Sequence, residues 1–212
     1  MKIQCFVFNM VETNCYVVWD ETCEAVIIDA GCYEPQEKEE LRNFVSEQHL
    51  TVKHYLNTHL HFDHVLGSPF VEDTFGCRAE AGDGDLHWLT DIKRRASLFG
   101  IRYNEEPRPL GRVLHEGDTV TFGTHTIEVI HVPGHSPGSM AYYIPAEKVL
   151  FSGDALFRDS IGRTDFPDGD FEALHNAILT KLFTLPADTI VYPGHDVATT
   201  IGHEKEYNTF IE

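Results

Sequence analysis

The sequence predicts a mixed α/β fold in which strands and helices pack in layers. Nine short runs rich in Val, Ile, Tyr and Phe are typical of strands, and most stop at Gly, Pro or Asp. These runs are residues 3–8, 15–19, 25–29, 52–57, 119–123, 126–132, 139–144, 148–153 and 189–194. Segments with helical periodicity lie between some of them, and strand-rich blocks with interspersed helices favour a layered α/β architecture.

Three segments carry the helical patterns, and they are residues 35–50, 84–100 and 169–183. The first opens with Pro35, which suits the first turn of a helix, and it places Leu41, Phe44 and Val45 on one face. The third has Asp170 in the position of an N-cap. We therefore expect one helix in each segment.

Length, composition and charge limit the possible classes of function. The chain has 212 residues, which we expect to form a single domain over 1–212. Its net charge of −18 repels phosphate backbones and acidic membrane surfaces, so we expect neither nucleic acid nor a membrane as a partner. No run approaches the roughly 18 apolar residues of a membrane span, and the N-terminus does not resemble a signal peptide. Five cysteines without a C-x-x-C pair favour a reducing compartment, and hence the cytoplasm.

Histidines and aspartates cluster where predicted strands end. The segment "NTHLHFDH", residues 57–64, follows the strand 52–57. Single candidates follow three further strands, namely His135, Asp154 and His195. Loops at strand ends commonly carry functional groups. If these strands run in the same direction, the clusters share one edge of the fold.

The residue types in these clusters are those of a divalent metal site. Neutral imidazole and carboxylate are ligands that borderline divalent metals prefer. Two metals could be held side by side, with a carboxylate bridging both, and the cations would neutralise and orient the crowded groups. The predicted metal-ligating residues are His59, His61, Asp63, His64, His135, Asp154 and His195.

These motifs together resemble the metallo-β-lactamase-fold hydrolases over essentially the whole chain. The resemblance rests on the pattern T-H-x-H-x-D-H at residues 58–64, followed by "PGHSPGS", "FSGDALF" and "YPGHD". It implies an αββα sandwich with the metals at one edge between the sheets. By the family pattern, the first metal takes His59, His61, His135 and Asp154. The second takes Asp63, His64, His195 and the shared Asp154.

Within that superfamily the chain most resembles the glyoxalase II group, with two departures. Full-length glyoxalase II has a C-terminal helical domain that grips glutathione, whereas only 17 residues follow His195 here. We therefore expect a short form without that domain. A tyrosine of the family that contacts glutathione is matched by Val197, and a basic glutathione contact is matched by Arg163.

Four further residues have two readings each. The resemblance implies that Arg163 binds substrate, although the residue by itself reads more readily as a loop arginine paired with a neighbouring carboxylate. Asp29 fits either a hydrogen bond to the ligand loop or a plain turn. Trp88 and Phe99 fit the core better than the wall of a pocket, although their helix could also line the site.

The resemblance implies hydrolysis of a small-molecule thioester. Two divalent ions, zinc before iron or manganese, would lower the pKa of a bridging water toward about 7 and give hydroxide at neutral pH. Attack on the acyl carbon then needs no strong general acid, because the pKa of the leaving thiol is only about 8.5. Asp63 is the candidate catalytic residue, since it can orient the hydroxide by accepting a hydrogen bond.

The sequence is also compatible with other functions. One iron held by His59, His135 and Asp154 would form a two-histidine, one-carboxylate site suited to O₂ chemistry, and residues 154–170 also resemble persulfide dioxygenases. A non-catalytic metal-binding module is a second alternative. β-Lactam hydrolysis is less favoured, because a leading β-lactamase subgroup has cysteine where this chain has Asp154. The net charge argues against RNA processing.

Overall fold

Two six-stranded sheets form the centre of the computed structural model, which describes residues 1–106 and 108–211. The first sheet contains, in spatial order, β1 (Lys2–Phe8), β2 (Thr13–Trp19), β3 (Glu24–Ile28), β4 (Thr51–Leu56), β5 (Ala79–Ala81) and β6 (Arg112–Val113). β2 is antiparallel to both β1 and β3, whereas β3 to β6 are parallel to one another.

The second sheet is built from the later part of the chain. Its strands, in spatial order from one edge to the other, are β7 (Thr119–Phe122), β8 (His125–His131), β9 (Met140–Ile144), β10 (Val149–Gly153), β13 (Ile190–Pro193) and β14 (Thr199–Thr200). A separate hairpin joins β11 (Leu156–Phe157) to β12 (Ser160–Ile161). All nine strands expected from the sequence are present.

Seven α-helices accompany the sheets in the described part of the chain. They are α1 (Pro35–Glu47), α2 (Phe62–Val65), α3 (Ser68–Phe75), α4 (Leu86–Thr90), α5 (Ile92–Leu98), α6 (Phe171–Thr180) and α7 (Ile201–Tyr207). The side chain of Asp170 caps α6 by accepting a hydrogen bond from the Ala173 amide at 3.0 Å, as the sequence predicts. None of these helices is long and apolar enough to cross a membrane.

Three apolar clusters define the layers. Residues of both sheets, among them Val26 and Tyr142, pack into the core between the sheets. The outer face of the first sheet is covered by α1 through Leu41 and Val45. The outer face of the second sheet is covered by α6, whose Leu174 and neighbours form the third cluster. The order helix, sheet, sheet, helix confirms the predicted αββα sandwich.

One predicted helix is wrong in its extent. Residues 84–100 do not form a single helix, because Asp91 leaves the helical conformation between α4 and α5. The Asp91 carboxylate accepts hydrogen bonds from the guanidinium of Arg94, and aspartate favours helix ends over helix interiors because it competes for local hydrogen bonds. The two short helices pack beside the loop 57–61, with Trp88 and Ile92 in a common apolar cluster with Leu60.

Candidate metal centre

The carboxyl ends of four strands meet at one edge of the sandwich. In the second sheet, β8 and β10 both lie antiparallel to β9, and β13 is parallel to β10, so these three strands run in the same direction. The segments that follow them carry His135, Asp154 and His195. In the first sheet, β4 ends at Leu56 and continues into the loop 57–61. The shared strand direction that the sequence argument required is therefore present.

The loop after β4 is held by Asp29, which follows β3. Asp29 accepts hydrogen bonds from the Thr58 amide at 2.8 Å and from the Thr58 hydroxyl at 2.7 Å. Its Oδ2 also lies 3.1 Å from Nδ1 of His64. Asn57 donates a hydrogen bond to the His64 carbonyl at 3.0 Å, which ties the loop to α2. Asp29 thus contacts the ligand loop, which was one of its two predicted roles.

His59, His61 and His135 form the first cluster of candidate ligands. One ring nitrogen of each lies within 4.8 Å of the others, and His135 Nε2 is 2.9 Å from His61 Nδ1. All three residues are buried. Nδ1 of His135 lies 2.8 Å from the carbonyl oxygen of Arg163. Such a contact fixes the tautomer in which Nε2 is free to accept a metal.

Asp63, His64 and His195 form the second cluster. Asp63 Oδ2 lies 3.3 Å from Nε2 of His64 and 3.3 Å from Nε2 of His195. The Thr13 hydroxyl donates a hydrogen bond to the same oxygen at 3.0 Å. The backbone carbonyl of Glu12 lies 3.2 Å from Nδ1 of His195. The turn between β1 and β2 therefore orients both an aspartate and a histidine of this cluster.

Asp154 lies between the two clusters. Its Oδ1 is 3.4 Å from Nε2 of His64, and its Oδ2 is 3.6 Å from Nε2 of both His135 and His195. Gly194 makes this position possible, because a Cβ atom there would lie 2.1 Å from Asp154 Oδ1. One carboxylate thus approaches members of both predicted ligand sets.

Burial keeps His59 and His61 of the first cluster neutral. Desolvation and the neighbouring imidazoles lower the pKa of His61 to about 3 and hold the pKa of His59 well below its usual value. Neutral imidazole is the form that binds a metal ion. These two side chains are therefore ready to act as ligands at neutral pH.

The carboxylates of the site are ionised. Burial opposes the charge on Asp63, but His64 and His195 outweigh it and lower the pKa of Asp63 to about 2. The pKa of Asp154 also lies well below its usual range, because His64 outweighs the effect of burial. Conversely, the surrounding aspartates raise the pKa of His64 despite its burial. A metal cation would replace the proton on His64 as the partner of these carboxylates.

Several buried polar atoms at this site have no hydrogen-bond partner among the described residues. They are His59 Nε2, His61 Nε2, both ring nitrogens of His64 and Asp154 Oδ1. The aspartate oxygens near His64 lie within ion-contact distance but lack the geometry of hydrogen bonds. Buried polar atoms are ordinarily hydrogen-bonded, and an exception calls for an explanation such as a bound ion. Nitrogen and carboxylate oxygen together suit zinc and other borderline divalent metals. The donor set therefore fits a divalent metal centre.

A cleft of about 780 Å³ opens over the two clusters. It is lined by Val11, His61, Phe62, Asp63, Trp88, Arg95, Leu98, Phe99, His135, Asp154, Phe157, Ser160, Ile161, Arg163, Phe166, His195 and Asp196. Its walls are largely apolar and aromatic, and polar groups converge at its floor. This combination is typical of small-molecule sites.

The cleft contains Arg163, a residue with two readings from the sequence. The guanidinium of Arg163 binds the Asp165 carboxylate through Nε at 2.9 Å and Nη2 at 2.8 Å, so the predicted loop ion pair is present. The guanidinium also lies 4.5 Å from the ring centre of Phe166. Arg163 is thus both ion-paired and part of the cleft wall, and its contact with substrate stays a prediction.

Sequence reasoning missed part of the cleft wall. Trp88 is buried, as expected for a core residue, but its ring also contacts that of His61 at 4.2 Å between centres and lines the cleft. Phe99 is half exposed and lines the cleft, which contradicts its assignment to the core. Arg95 also lines the cleft, and its place in the sequence does not indicate this. No local pattern marks these residues, because their position depends on the break between α4 and α5.

Comparison with known proteins identifies the family. The model of the metallo-β-lactamase superfamily matches residues 9–195, which span the entire ligand set. The chain belongs to the metallo-β-lactamase superfamily. One curated relative is the hydroxyacylglutathione hydrolase GloC of Haemophilus influenzae, which is 35% identical over 100% of this chain and 98% of its own length. This relative supports the glyoxalase II-like resemblance within the superfamily.

Solved structures of the superfamily superpose closely on the whole chain. A crystal structure of the B3 metallo-β-lactamase BLEG-1 has a TM-score of 0.89 and 38% identity, and covers 99% of both chains. TTHA1623 in a di-iron-bound form has a TM-score of 0.87 and 35% identity, over 98% of this chain and 99% of its own. These likenesses agree with the αββα architecture and with a fold that binds divalent metals.

Proposed function

We propose that this protein hydrolyses small thioesters at a two-metal centre formed by the seven residues predicted from the sequence. The observation that carries the proposal is the position of Asp154, which approaches His64, His135 and His195 with its two oxygens. A carboxylate between two histidine clusters suits a bridge between two cations. Zinc is the proposed metal, with iron or manganese as alternatives. The di-iron-bound form of the similar protein TTHA1623 supports iron as an alternative.

Bound divalent cations would supply a hydroxide nucleophile at neutral pH and polarise the thioester carbonyl. The residues of the chain have distinct tasks in this reaction. His59, His61 and His135 would hold one cation, while Asp63, His64 and His195 would hold the other. Asp63 would also accept a hydrogen bond from the attacking water and so orient it. The departing thiolate needs no strong acid, because the pKa of a thiol is about 8.5.

The thioester class is supported by the relative named hydroxyacylglutathione hydrolase. Arg163 lines the cleft and is proposed to contact an anionic group of the substrate. The identity of the thiol is less constrained, because Val197 stands where the family has a tyrosine that contacts glutathione. We accordingly propose a small-molecule thioester as the substrate, without assigning its acyl group. We also propose a cytoplasmic location, because the cysteine pattern favours a reducing compartment.

β-Lactam hydrolysis is the second candidate function, because BLEG-1 is 38% identical over 99% of this chain. A chromogenic cephalosporin distinguishes it from thioester hydrolysis. We expect kcat/KM for S-lactoylglutathione to exceed that for the cephalosporin. The reverse order would make β-lactam hydrolysis the primary activity.

The test of the proposal pairs two measurements on zinc-loaded and iron-loaded protein, namely thiol release and oxygen uptake. We expect thiol release from S-lactoylglutathione without oxygen consumption. Asp63→Ala should lower it about 100-fold, the loss typical of a key electrostatic group. Asp188→Ala, which removes an exposed aspartate paired with Lys148, is the matched control and should have no effect.

Two outcomes would replace the proposal. Oxygen uptake with a persulfide that is insensitive to Asp63→Ala, without thiol release from any thioester, would establish the iron dioxygenase. Metal binding without either activity would establish a non-catalytic metal-binding module.

A further inference from the structure

A cation without a carboxylate partner of its own lies in the wall of the metal cleft. Arg95, on α5, lines the cleft, and 22% of its side chain is exposed. Its Nε is buried and has no hydrogen-bond partner among residues 1–106 and 108–211. Asp91 Oδ2 is 3.4 Å away, but that carboxylate already accepts hydrogen bonds from Arg94 at 2.6 to 3.0 Å. The Arg95 charge is therefore poorly compensated.

Stacking holds the Arg95 guanidinium in place beside the metal centre. Its central carbon lies 3.2 Å from the ring centre of Trp88. The Trp88 ring in turn lies 4.2 Å from that of His61. A guanidinium stacked on indole keeps its planar set of N–H donors in a fixed orientation. Arg95 thus contacts Trp88, whose ring has an edge contact with the candidate metal ligand His61.

The other arginine of the cleft, Arg163, differs from Arg95 in its ion pairing and in its exposure. Arg163 is bound by both oxygens of Asp165, and 67% of its side chain is exposed. Exposed, paired charges contribute little to the binding of a further ion. Arg95 is more buried and retains its hydrogen-bonding capacity. In a chain with 34 acidic and 16 basic residues, such a cation is well suited to select an anion that the overall charge would repel.

Apolar groups adjoin Arg95 in the cleft. Leu98 and Phe99 lie on the same segment and line the cleft, and the Phe99 ring packs at a tilt against that of Phe62 with ring centres 4.8 Å apart. Leu98 is exposed and Phe99 is half exposed. A ligand that fits this wall carries an anionic head and an apolar portion.

We infer that Arg95 is the main anion-binding residue of the cleft, ahead of the contact proposed for Arg163, and that it selects thioesters that carry a carboxylate next to an apolar segment. This inference rests on the proposed thioesterase function for its substrate class. The anion itself is recognised by the guanidinium donors, whichever side of the thioester carries it. Loss of a charged hydrogen bond of this kind weakens binding about 10- to 100-fold.

The kinetic test compares matched thioesters on zinc-loaded Arg95→Met, Arg163→Met, Lys93→Met and the parent protein. The first pair is 3-(acetylthio)propanoate and its methyl ester, with the carboxylate on the thiol side. The second is 4-(methylthio)-4-oxobutanoate and its methyl ester, with the carboxylate on the acyl side. We expect Arg95→Met to raise KM about 10- to 100-fold for the carboxylate of at least one pair and to spare the esters. Lys93→Met is the matched control, because it removes an exposed cation of the same helix that pairs with Glu106, and it should change neither.

A binding test works without turnover. The chain has two tryptophans, so Trp19→Phe leaves Trp88 as the only indole reporter beneath Arg95. Hexanoate should change the Trp88 emission in a saturable manner, and hexanamide should not. Arg95→Met in this background should weaken hexanoate binding about 10- to 100-fold. If that variant fails to fold, Arg95→Lys, which lacks the planar fork, should weaken it several-fold.

The two tests separate failure of this inference from failure of the proposed function. If no thioester is hydrolysed but hexanoate binding depends on Arg95, the thioesterase proposal fails and the anion site stands. Three results overturn the inference: equal losses for acids and esters, losses confined to Arg163→Met, or hexanoate binding that is unchanged in the Arg95 variant. A carboxylate that binds only to the metals would give the last result.

Discussion

Replacing Asp29 by asparagine should weaken metal binding at the second cluster without changing the fold. Asp29 has a left-handed backbone conformation with φ of 54°, which asparagine tolerates as well as aspartate. The side chain keeps its shape and loses its charge. An asparagine oxygen can still accept the hydrogen bond of the Thr58 amide, whereas its NH₂ group cannot accept from the Thr58 hydroxyl.

The magnitude follows from the contact between Asp29 and His64. Asp29 Oδ2 lies 3.1 Å from Nδ1 of His64 and favours a proton on that nitrogen, which leaves Nε2 free for the metal. An amide NH₂ at the same place would favour a bare Nδ1 and a proton on Nε2. Loss of such an outer contact typically weakens metal affinity about 10- to 100-fold, equivalent to about 1.4 to 2.8 kcal/mol.

The assay is competition for zinc between the protein and a chromogenic chelator, which gives two dissociation constants. We expect the dissociation constant of the second cluster to rise by that factor in Asp29→Asn, and the other constant to stay unchanged. Asp20→Asn is the matched control, because Asp20 is an equally buried, hydrogen-bonded aspartate at the turn that follows β2. Unchanged zinc affinity in Asp29→Asn, or an equal loss in Asp20→Asn, would refute this account of Asp29.

Three further predictions concern the site and its frame. Gly194→Ala would place a Cβ atom 2.1 Å from Asp154 Oδ1. Displacement of the Asp154 carboxylate should lower thioesterase activity about 100-fold. Full activity in this variant would contradict the proposed bridging position of Asp154. Asp170→Ala removes the cap of α6 and should lower the free energy of unfolding by about 1 kcal/mol, with unchanged zinc content as its control. Hydrogen bonds from Thr22 and Thr124 outweigh burial and lower the pKa of Asp20, so this carboxylate stabilises the fold above the unfolded pKa of about 3.9. Asp20→Asn should therefore lower the free energy of unfolding by about 2 kcal/mol at pH 7. This difference from the parent protein should shrink as the pH falls below about 4. A difference that is constant with pH would show that the charge of Asp20 does not cause the loss of stability.

The residues that meet at the candidate metal centre could be predicted because their signals in the sequence are local. The motif at residues 57–64 follows a strand whose apolar pattern is clear, and His135, Asp154 and His195 also follow recognisable strands. Strand direction then brings the groups to one edge, and the structure has the required direction. That these residues bind two metals remains a prediction.

The cleft wall could not be predicted because it depends on contacts between distant segments. Trp88 and Arg95 have the spacing of an ordinary helix, and their approach to His61 arises only from the packing of α4 and α5. The orientation of His195 depends on a backbone carbonyl of Glu12, which any residue type could provide. Strands of two or three residues, such as β5 and β6, are too short to show periodicity.

The most direct test of the two-metal claim is a zinc titration of metal-depleted protein, with thioesterase activity measured after each addition. We predict that activity rises until two equivalents of zinc are bound per chain. His195→Ala, which removes a ligand of the second cluster only, should bind one equivalent and remain almost inactive. Full activity at one equivalent in the parent protein, or two bound equivalents with full activity in His195→Ala, would contradict the account.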